Sequence, residues 1–412
     1  MALLTNLNKE HKQVIILYSS TVLGVLVGII NSVINTRFLI PSDYGDVKYV
    51  QNIINFVASL LLFGYFLSGS RLLALSKSEE YSRRVRGVLV IILGIATLIL
   101  ALSTAICIFL HKGQKEVSYL FFVSLAVCAC PLLNNYINNT AQGDNHIGRL
   151  AIVRLLPSAI YAAVAYFIYS RYGATTPRAI LLQWGFSVLV CIIVIISEKP
   201  SFKNLKPIFD ELNKENRSYG FQLYLGSIVM VATGYIAGMT LSFFNEDNTQ
   251  VGFYTLALTV TQPLTMLPAI IGTTYFKKFA TLPKIPDKLM KYSILLTALS
   301  CVFFVLVIQK IIVFLYTEKY APVGSYAIWL SIGCCIHGLG DMINRYMGSH
   351  GQGKEIRNSS IFNGIFKIIG YSLLVYLWNV TGALITTLSC DIIYTGCMTY
   401  YYIKFIKKNE QA

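Results

Sequence analysis

The feature that most constrains this chain is a recurring apolar run of about 20 residues, the length that crosses a bilayer as a helix. Twelve such runs lie at 13–36, 47–70, 87–110, 118–138, 153–170, 178–197, 221–244, 253–276, 292–315, 325–347, 360–378 and 383–402. They are continuously apolar. A membrane β-strand alternates polar and apolar positions over roughly ten residues, so these runs predict helices. Of 412 residues, 55% are hydrophobic and only 13% charged, against about 25% charged in a soluble domain. That excludes a water-soluble globule, and the apolar content excludes a disordered chain. The expected fold class is an all-α polytopic membrane protein with twelve transmembrane helices.

Thirty-four Lys and Arg against 19 Asp and Glu give a formal charge of +15. In a soluble protein that excess would suggest nucleic acid, whereas in a membrane protein it reports topology. With the N-terminus on the cytoplasmic side, 25 basic residues fall on inner segments, seven on outer ones and two within runs. The inner set includes Arg83, Arg84, Arg86, Lys277, Lys278, Lys284, Lys288, Lys291, Lys404, Lys407 and Lys408. The positive-inside rule then predicts both termini cytoplasmic and no nucleic-acid partner. Residues 1–12 are polar and the first run is long, so no cleavable signal is expected.

All nine cysteines lie inside runs and form no CxxC pair, which reads as small apolar filling. The five histidines have no metal-ligand spacing, and no GxxxxGK[ST] occurs. No metal, cofactor or catalytic residue is expected.

The longest polar stretch is 198–220. Within it Leu205, Ile208, Phe209 and Leu212 recur at i, i+3, i+4 and i+7, flanked by Lys203, Lys206, Lys214 and Arg217. This is either an amphipathic helix on the inner surface or a basic loop. Three turn motifs recur at nearly one offset: Gly45 and Gly252 (207), Gln142-Gly143 and Gln352-Gly353 (210), and Gly173-Ala174 and Gly382-Ala383 (209). The expected organisation is a six-helix lobe over 1–197, a cytoplasmic amphipathic linker over 198–220 and a second lobe over 221–412. Six spans per lobe make the repeats parallel, a known transporter architecture.

Several segments together resemble a known family. They are Arg37–Gly45 at the end of the first run, Val251–Ala257 opening the eighth, and the Gln-Gly turns after the fourth and tenth. Over nearly its whole length the chain resembles Wzx-type O-antigen and polysaccharide flippases of the multidrug/oligosaccharidyl-lipid/polysaccharide (MOP) exporter superfamily. The resemblance implies a V-shaped, MATE-like two-lobe carrier in the bacterial cytoplasmic membrane. Such a carrier moves a sugar linked to undecaprenyl pyrophosphate from the inner to the outer leaflet by alternating access. Its partners would be the lipid-linked oligosaccharide, membrane lipids, a coupling H+ or Na+, and other polysaccharide assembly proteins.

A pyrophosphate-sugar headgroup needs cations and hydrogen-bonding side chains inside an apolar scaffold. Charges within or beside runs are therefore the candidates. Arg37, Lys48, Arg154, Lys310 and Lys367 either meet the pyrophosphate or snorkel to headgroups. Lys367 lies seven residues into its run, roughly 10 Å deep. Asn31, Asn35, Asn52, Asn55 and Gln262 either line the path or bond across helices. The same alternatives hold for Asn134, Asn135, Asn138 and Asn139, and Tyr224, Tyr235 and Tyr254 either pack on sugars or on helices.

His337, Asp341 and Arg345 at i, i+4 and i+8 share a helix face. They form either an Asp341–Arg345 ion pair or, with a titrating His337, a coupling-ion site. Asp391 either pairs with a base on a neighbouring span or binds the ion. Rival functions are a cation-coupled multidrug antiporter of the same superfamily, a twelve-span symporter, and a membrane-embedded polysaccharide polymerase or ligase. Outer loops of about eight residues or fewer weigh against the last.

Overall fold

A computed structural model of the chain describes residues 9–76, 78–144 and 146–410. The side chains of 9–18, 147, 226, 227, 230, 277 and 410 fall outside that description, Lys277 among them, as does the polar start of the chain. Among the described residues every regular element is a helix. In chain order these are α1 (Lys9–Phe38), α2 (Pro41–Leu60), α3 (Tyr65–Leu75), α4 (Glu79–Leu110), α5 (Lys115–Ser124), α6 (Cys130–Gly143), α7 (Ile147–Tyr172), α8 (Thr176–Ser197), α9 (Lys206–Glu215), α10 (Phe221–Phe243), α11 (Thr249–Phe279), α12 (Asp287–Tyr316), α13 (Pro322–Ser349) and α14 (Gly353–Glu410). Helices are the expected answer for long apolar runs, because each closes its backbone hydrogen bonds within itself.

Several runs do not form one straight rod. The second breaks into α2 and α3, bent by 60°, where Phe63 and Gly64 both take positive φ. The fourth breaks between α5 and α6, just before Pro131 in the first turn of α6. The eleventh and twelfth join in α14, which is interrupted at Trp378 and Asn379. There the chain folds back, and Tyr371 Oη lies 3.1 Å from Thr387 Oγ1. Among the described residues eight helices qualify as membrane spans by length and composition, or nine with the bent α2–α3 pair as one. The hairpin α14 enters that count once, and neither the broken fourth run nor α10, whose counted apolar stretch is Val231–Phe243, enters it.

The chain forms two compact units, Met1–Leu39 with Val50–Ile228, and Ile40–Tyr49 with Val229–Ala412. Segment 198–220 groups with the first. Its apolar stripe divides: Ile208 and Leu212 are buried while Phe209 is exposed. Tyr65 donates to Asn213 Oδ1 at 2.9 Å, Arg71 pairs with Glu215 at 2.6 Å, and Asn216 donates to the Phe63 carbonyl at 3.0 Å. Part of the face expected to rest on lipid therefore rests on protein.

A buried ion network joins four elements of the first unit. Arg86 on α4 meets Asp144 after α6 at 2.5 Å and Glu79 at 3.1 Å. Arg149 on α7 meets Glu198 after α8 at 3.1 Å, and Tyr136 donates to the same carboxylate at 3.4 Å. The side chains of Arg86, Asp144 and Glu198 are 3%, 5% and 0% exposed. Burial holds the Glu198 carboxyl above its ordinary range, with Arg149 and Arg86 opposing that shift.

In the second unit the start of α2 packs on the start of α11. A Cβ on Gly45 would lie 1.8 Å from the Asn248 carbonyl oxygen, and one on Gly252 would lie 3.1 Å from the Gly45 nitrogen. Asn248 also donates to Asp46 Oδ1 at 2.7 Å. The two glycines matched by sequence offset thus meet each other at a helix crossing.

Two outcomes follow for purified protein. Arg86→Met leaves buried Asp144 without its cation, and is expected to lower stability by about 3–5 kcal/mol. Arg86→Met with Asp144→Leu should recover most of that loss in a thermal melt. Gly45→Ala should lower the melting temperature sharply because the carbonyl of Asn248 occupies the Cβ position. Gly94→Ala, with nothing within 4 Å, should leave it unchanged or raise it, helix propensity alone favouring Ala by about 1 kcal/mol.

Candidate functional site

The second unit gathers acidic and aromatic groups around one imidazole. His337 on α13 faces Asp391 in the second half of α14, with Nδ1 and Oδ1 3.0 Å apart. Its Nε2 lies 3.8 Å from Asp341 Oδ1, one turn along α13. The Tyr394 ring stacks on the imidazole, with centroids 4.5 Å apart and planes at 19°. Tyr394 donates its hydroxyl hydrogen to Asp341 at 3.0 Å and accepts from Asn344 at 2.8 Å. The helices come this close because Gly333 has no side chain: a Cβ there would lie 2.7 Å from Asp391 Oδ2. Asp391 is only 6% exposed. Lys367 lies within electrostatic reach of His337 and of Cys390.

The Asp341–Arg345 pair does not form. Asp341 turns to His337 and Tyr394, while Arg345 is exposed. His337 and Arg345 each stand four residues from Asp341, so spacing allows either pair; contact with Tyr394 of α14, which donates to Asp341 and stacks on His337, decides for His337.

Other predicted residues scatter. Lys48 lies over the Tyr44 ring at 5.3 Å. Lys310, Arg37 and Gln262 are exposed on α12, α1 and α11. Tyr254 is 3% exposed and bonds Thr387 at 2.8 Å, with Tyr371 3.3 Å away, so it serves helix packing rather than a sugar. Tyr224 is buried and donates to the Leu60 carbonyl at 2.8 Å. Tyr235 is half-buried.

In the first unit the polar residues of α1 bind α7. Asn31 donates to the Ser158 carbonyl at 3.3 Å, and Asn35 Oδ1 accepts from the Tyr161 hydroxyl. These two asparagines therefore stitch helices together, although Asn31 Oδ1 is buried with no partner. Asn52 and Asn55 are half-buried on α2. The α6 asparagines divide their tasks: Asn134 donates to Ser187 Oγ on α8 at 3.1 Å, Asn139 to Asn135 Oδ1 at 3.0 Å, and Asn138 Oδ1 accepts from Arg154 at 3.3 Å. Arg154 also donates to Thr21 Oγ1 at 3.2 Å.

The sequence pointed to Arg154 but not to Thr21, whose hydroxyl is unremarkable until α1 and α7 are docked. Nothing in the sequence marks the carboxylates of Asp144 and Glu198 either. Both stand just past helix ends, a position that reads as loop until burial is known. Among the described residues no group of three or more His, Cys, Asp or Glu is placed to hold a metal ion.

Comparison with known proteins agrees with this architecture. Residues 11–279 match the model of a family described as polysaccharide biosynthesis protein. An uncharacterized membrane protein of Methanocaldococcus jannaschii is 22% identical over 262 residues, 60% of this chain and 51% of its own length. The chain thus spans about half the length of that curated relative. Among solved structures, the lipid II flippase MurJ in an inward closed conformation aligns with a TM-score of 0.76 at 16% identity, over 96% of this chain and 89% of that one. A multidrug resistance MATE family transporter of the MOP superfamily, inward-facing, gives 0.71 at 14% identity, over 94% and 96%. A MOP superfamily transporter from Pyrococcus furiosus gives 0.60 at 14%, over 96% of each chain. With more than half its length matched, the chain belongs to the polysaccharide biosynthesis protein family, and it folds as an all-α multi-pass membrane protein of the MATE and MurJ kind.

Proposed function

We propose that this chain is a flippase of the Wzx type. It carries an oligosaccharide linked to undecaprenyl pyrophosphate from the inner to the outer leaflet of a bacterial cytoplasmic membrane. The product feeds O-antigen, capsule or exopolysaccharide assembly, in company with other assembly proteins. The observation that carries this reading is a polysaccharide-family sequence on a fold that resembles lipid and drug carriers. The basic excess of one set of loops supports a cytoplasmic location for both termini. Two six-helix lobes related by a parallel repeat then supply the alternating access.

The His337–Asp391–Asp341 cluster suits coupling to H+ or Na+. Two carboxylates and an imidazole within an apolar unit can take up a cation and change the charge of the site when they do. The same acidic cluster gives the antiporter its one specific support. The two readings separate on substrate: an anionic lipid headgroup for the flippase, an organic cation for the antiporter.

Proteoliposomes loaded with a fluorescent undecaprenyl-pyrophosphoryl oligosaccharide test the flippase. Wild-type protein should render the label accessible to a membrane-impermeant quencher in an ion-gradient-dependent manner. Failure to do so, together with efflux of organic cations, would replace the flippase by the antiporter. Asp391→Asn and Asp341→Asn are each expected to lower the initial rate about tenfold, equivalent to about 1.4 kcal/mol, and to flatten its dependence on the gradient. Wild-type gradient dependence in both variants would place coupling elsewhere. Lys367→Ala should also slow transport at normal abundance, and full activity would remove Lys367 from the substrate path.

A further inference from the structure

Segment 198–205, which joins α8 to α9, has no regular secondary structure, yet it is strapped to the first turns of α4. The Ser201 amide donates to the Arg83 carbonyl at 2.8 Å, and Arg83 Nε donates to the Lys199 carbonyl at 2.7 Å. Arg84 donates to the Asn204 carbonyl, and Arg86 to that of Glu198 at 3.5 Å. Lys199 and Asn204 both take positive φ, 48° and 47°, so the arginines cap a sharp turn at each end of the strap. A Cβ on Gly87 would lie 2.0 Å from the Ser201 carbonyl oxygen, which sets the strap directly on the helix.

That contact fixes its depth. From Gly87 to Leu110 α4 carries no charge, a length of about 36 Å at 1.5 Å per residue, enough to cross a hydrocarbon core of about 30 Å. Arg83 and Arg84 stand in the turn before that stretch, so the strap lies at the level of the lipid headgroups. It presents Phe202 there, 57% exposed, with Lys199, Lys203 and Lys206 exposed around it. None of these lysines, nor Arg83 or Arg84, pairs with a carboxylate among the described residues. Glu79, Glu198 and Glu211 are engaged by Arg86, Arg149 and Tyr81, leaving Glu80 and Asp210 against five cations. An aromatic ring at headgroup depth, flanked by lysines, is suited to an anionic leaflet. Helix α9 turns Ile208 and Leu212 of its own apolar stripe into the protein.

We propose that Phe202, Lys199, Lys203, Lys206, Arg83 and Arg84 form a docking site for anionic phospholipid headgroups, with the Phe202 ring set among the upper acyl chains. A soluble acidic partner would match the charges but would not need an aromatic ring held at bilayer depth. The site is independent of what the chain transports, so failure of the flippase reading leaves it untouched.

Full-length Phe202→Trp in phosphatidylcholine nanodiscs tests it, read as the emission added to that of the three native tryptophans. Phosphatidylglycerol or phosphatidylcholine with brominated acyl chains is included at equal mole fraction. The brominated phosphatidylglycerol should quench the added emission about fivefold more efficiently, the attraction of roughly one basic residue for an anionic surface. Ionic strength of about 1 M, where the Debye length is about 3 Å, should abolish that preference. Lys199→Gln, Lys203→Gln and Lys206→Gln together, in the Phe202→Trp background, should abolish it too, with the thermal melt unchanged because all three side chains are exposed. Gly87→Ala in the same background pushes Ser201 off α4 and should reduce quenching by both lipids alike. Equal quenching by the two lipids in Phe202→Trp, or quenching by aqueous iodide and by neither lipid, would overturn the proposal. So would a phosphatidylglycerol preference that survives both high salt and the triple lysine variant.

Discussion

Every polar group that this chain places within its helices has to find a partner, because hydrocarbon offers none. An unsatisfied amide or charge in that medium costs several kcal/mol. The consequences run through the structure at each scale. Hydroxyls return to their own helix: Thr36, Thr104, Thr140 and Thr261 each donate to the carbonyl four residues earlier. Amides cross to a neighbour, as Asn134 does to Ser187 and Gln51 to Gln183. Charges cluster with opposite charges, as Arg86 does with Asp144. The same rule makes the exceptions informative, and Asn31 Oδ1 and Asn363 Oδ1 are buried without a hydrogen-bond partner.

Helix interruptions obey the rule too. The break between α2 and α3 leaves backbone groups at Phe63 and Gly64 outside a regular ladder. Asn216 donates to the Phe63 carbonyl, and Ser68 donates to that of Gly64. At the bend in α14, Asn379 and Asn245 exchange side-chain hydrogen bonds at 2.6 and 3.0 Å. Non-helical backbone is tolerated in such a protein where other parts of the protein satisfy it. Pro157, Pro263 and Pro268, by contrast, sit inside helices that continue through them. A proline in the sequence of an apolar run was thus a poorer guide to breaks than a glycine or asparagine with positive φ.

The existence and helical nature of the apolar runs were legible because continuous apolarity of that length has few other solutions. Which polar residues matter was legible only in part. Intramembrane cost singled out Arg154, Asp391 and Lys367 before any contact was known. It could not say that Asp391 would meet His337 from another helix, since that needs the docking of α13 on α14 at Gly333. It left Asp341 open between Arg345 and His337, because both stand four residues from it on the helix. Gly45 and Gly252 were noticed as an internal repeat, while the physical reason for both is one close crossing in which a side chain on either would strike backbone. Nothing in the sequence sets Asp144 and Glu198 apart, because a carboxylate just beyond a helix end is ordinary and its burial depends on how the helices dock.

The two units resolve their interior charge differently. In the second, His337 has Asp391 within 3.0 Å and Asp341 within 3.8 Å, so acid is in excess around a single imidazole. In the first, Arg154 is held by Thr21 and Asn138, which carry no charge. Two carboxylates around one imidazole in an apolar unit favour a bound proton or cation, whereas a closed pair such as Arg86 with Asp144 leaves no charge to neutralise. The buried acids of the first unit, Asp144 and Glu198, are each met by an arginine, whereas Asp341 and Asp391 share one imidazole.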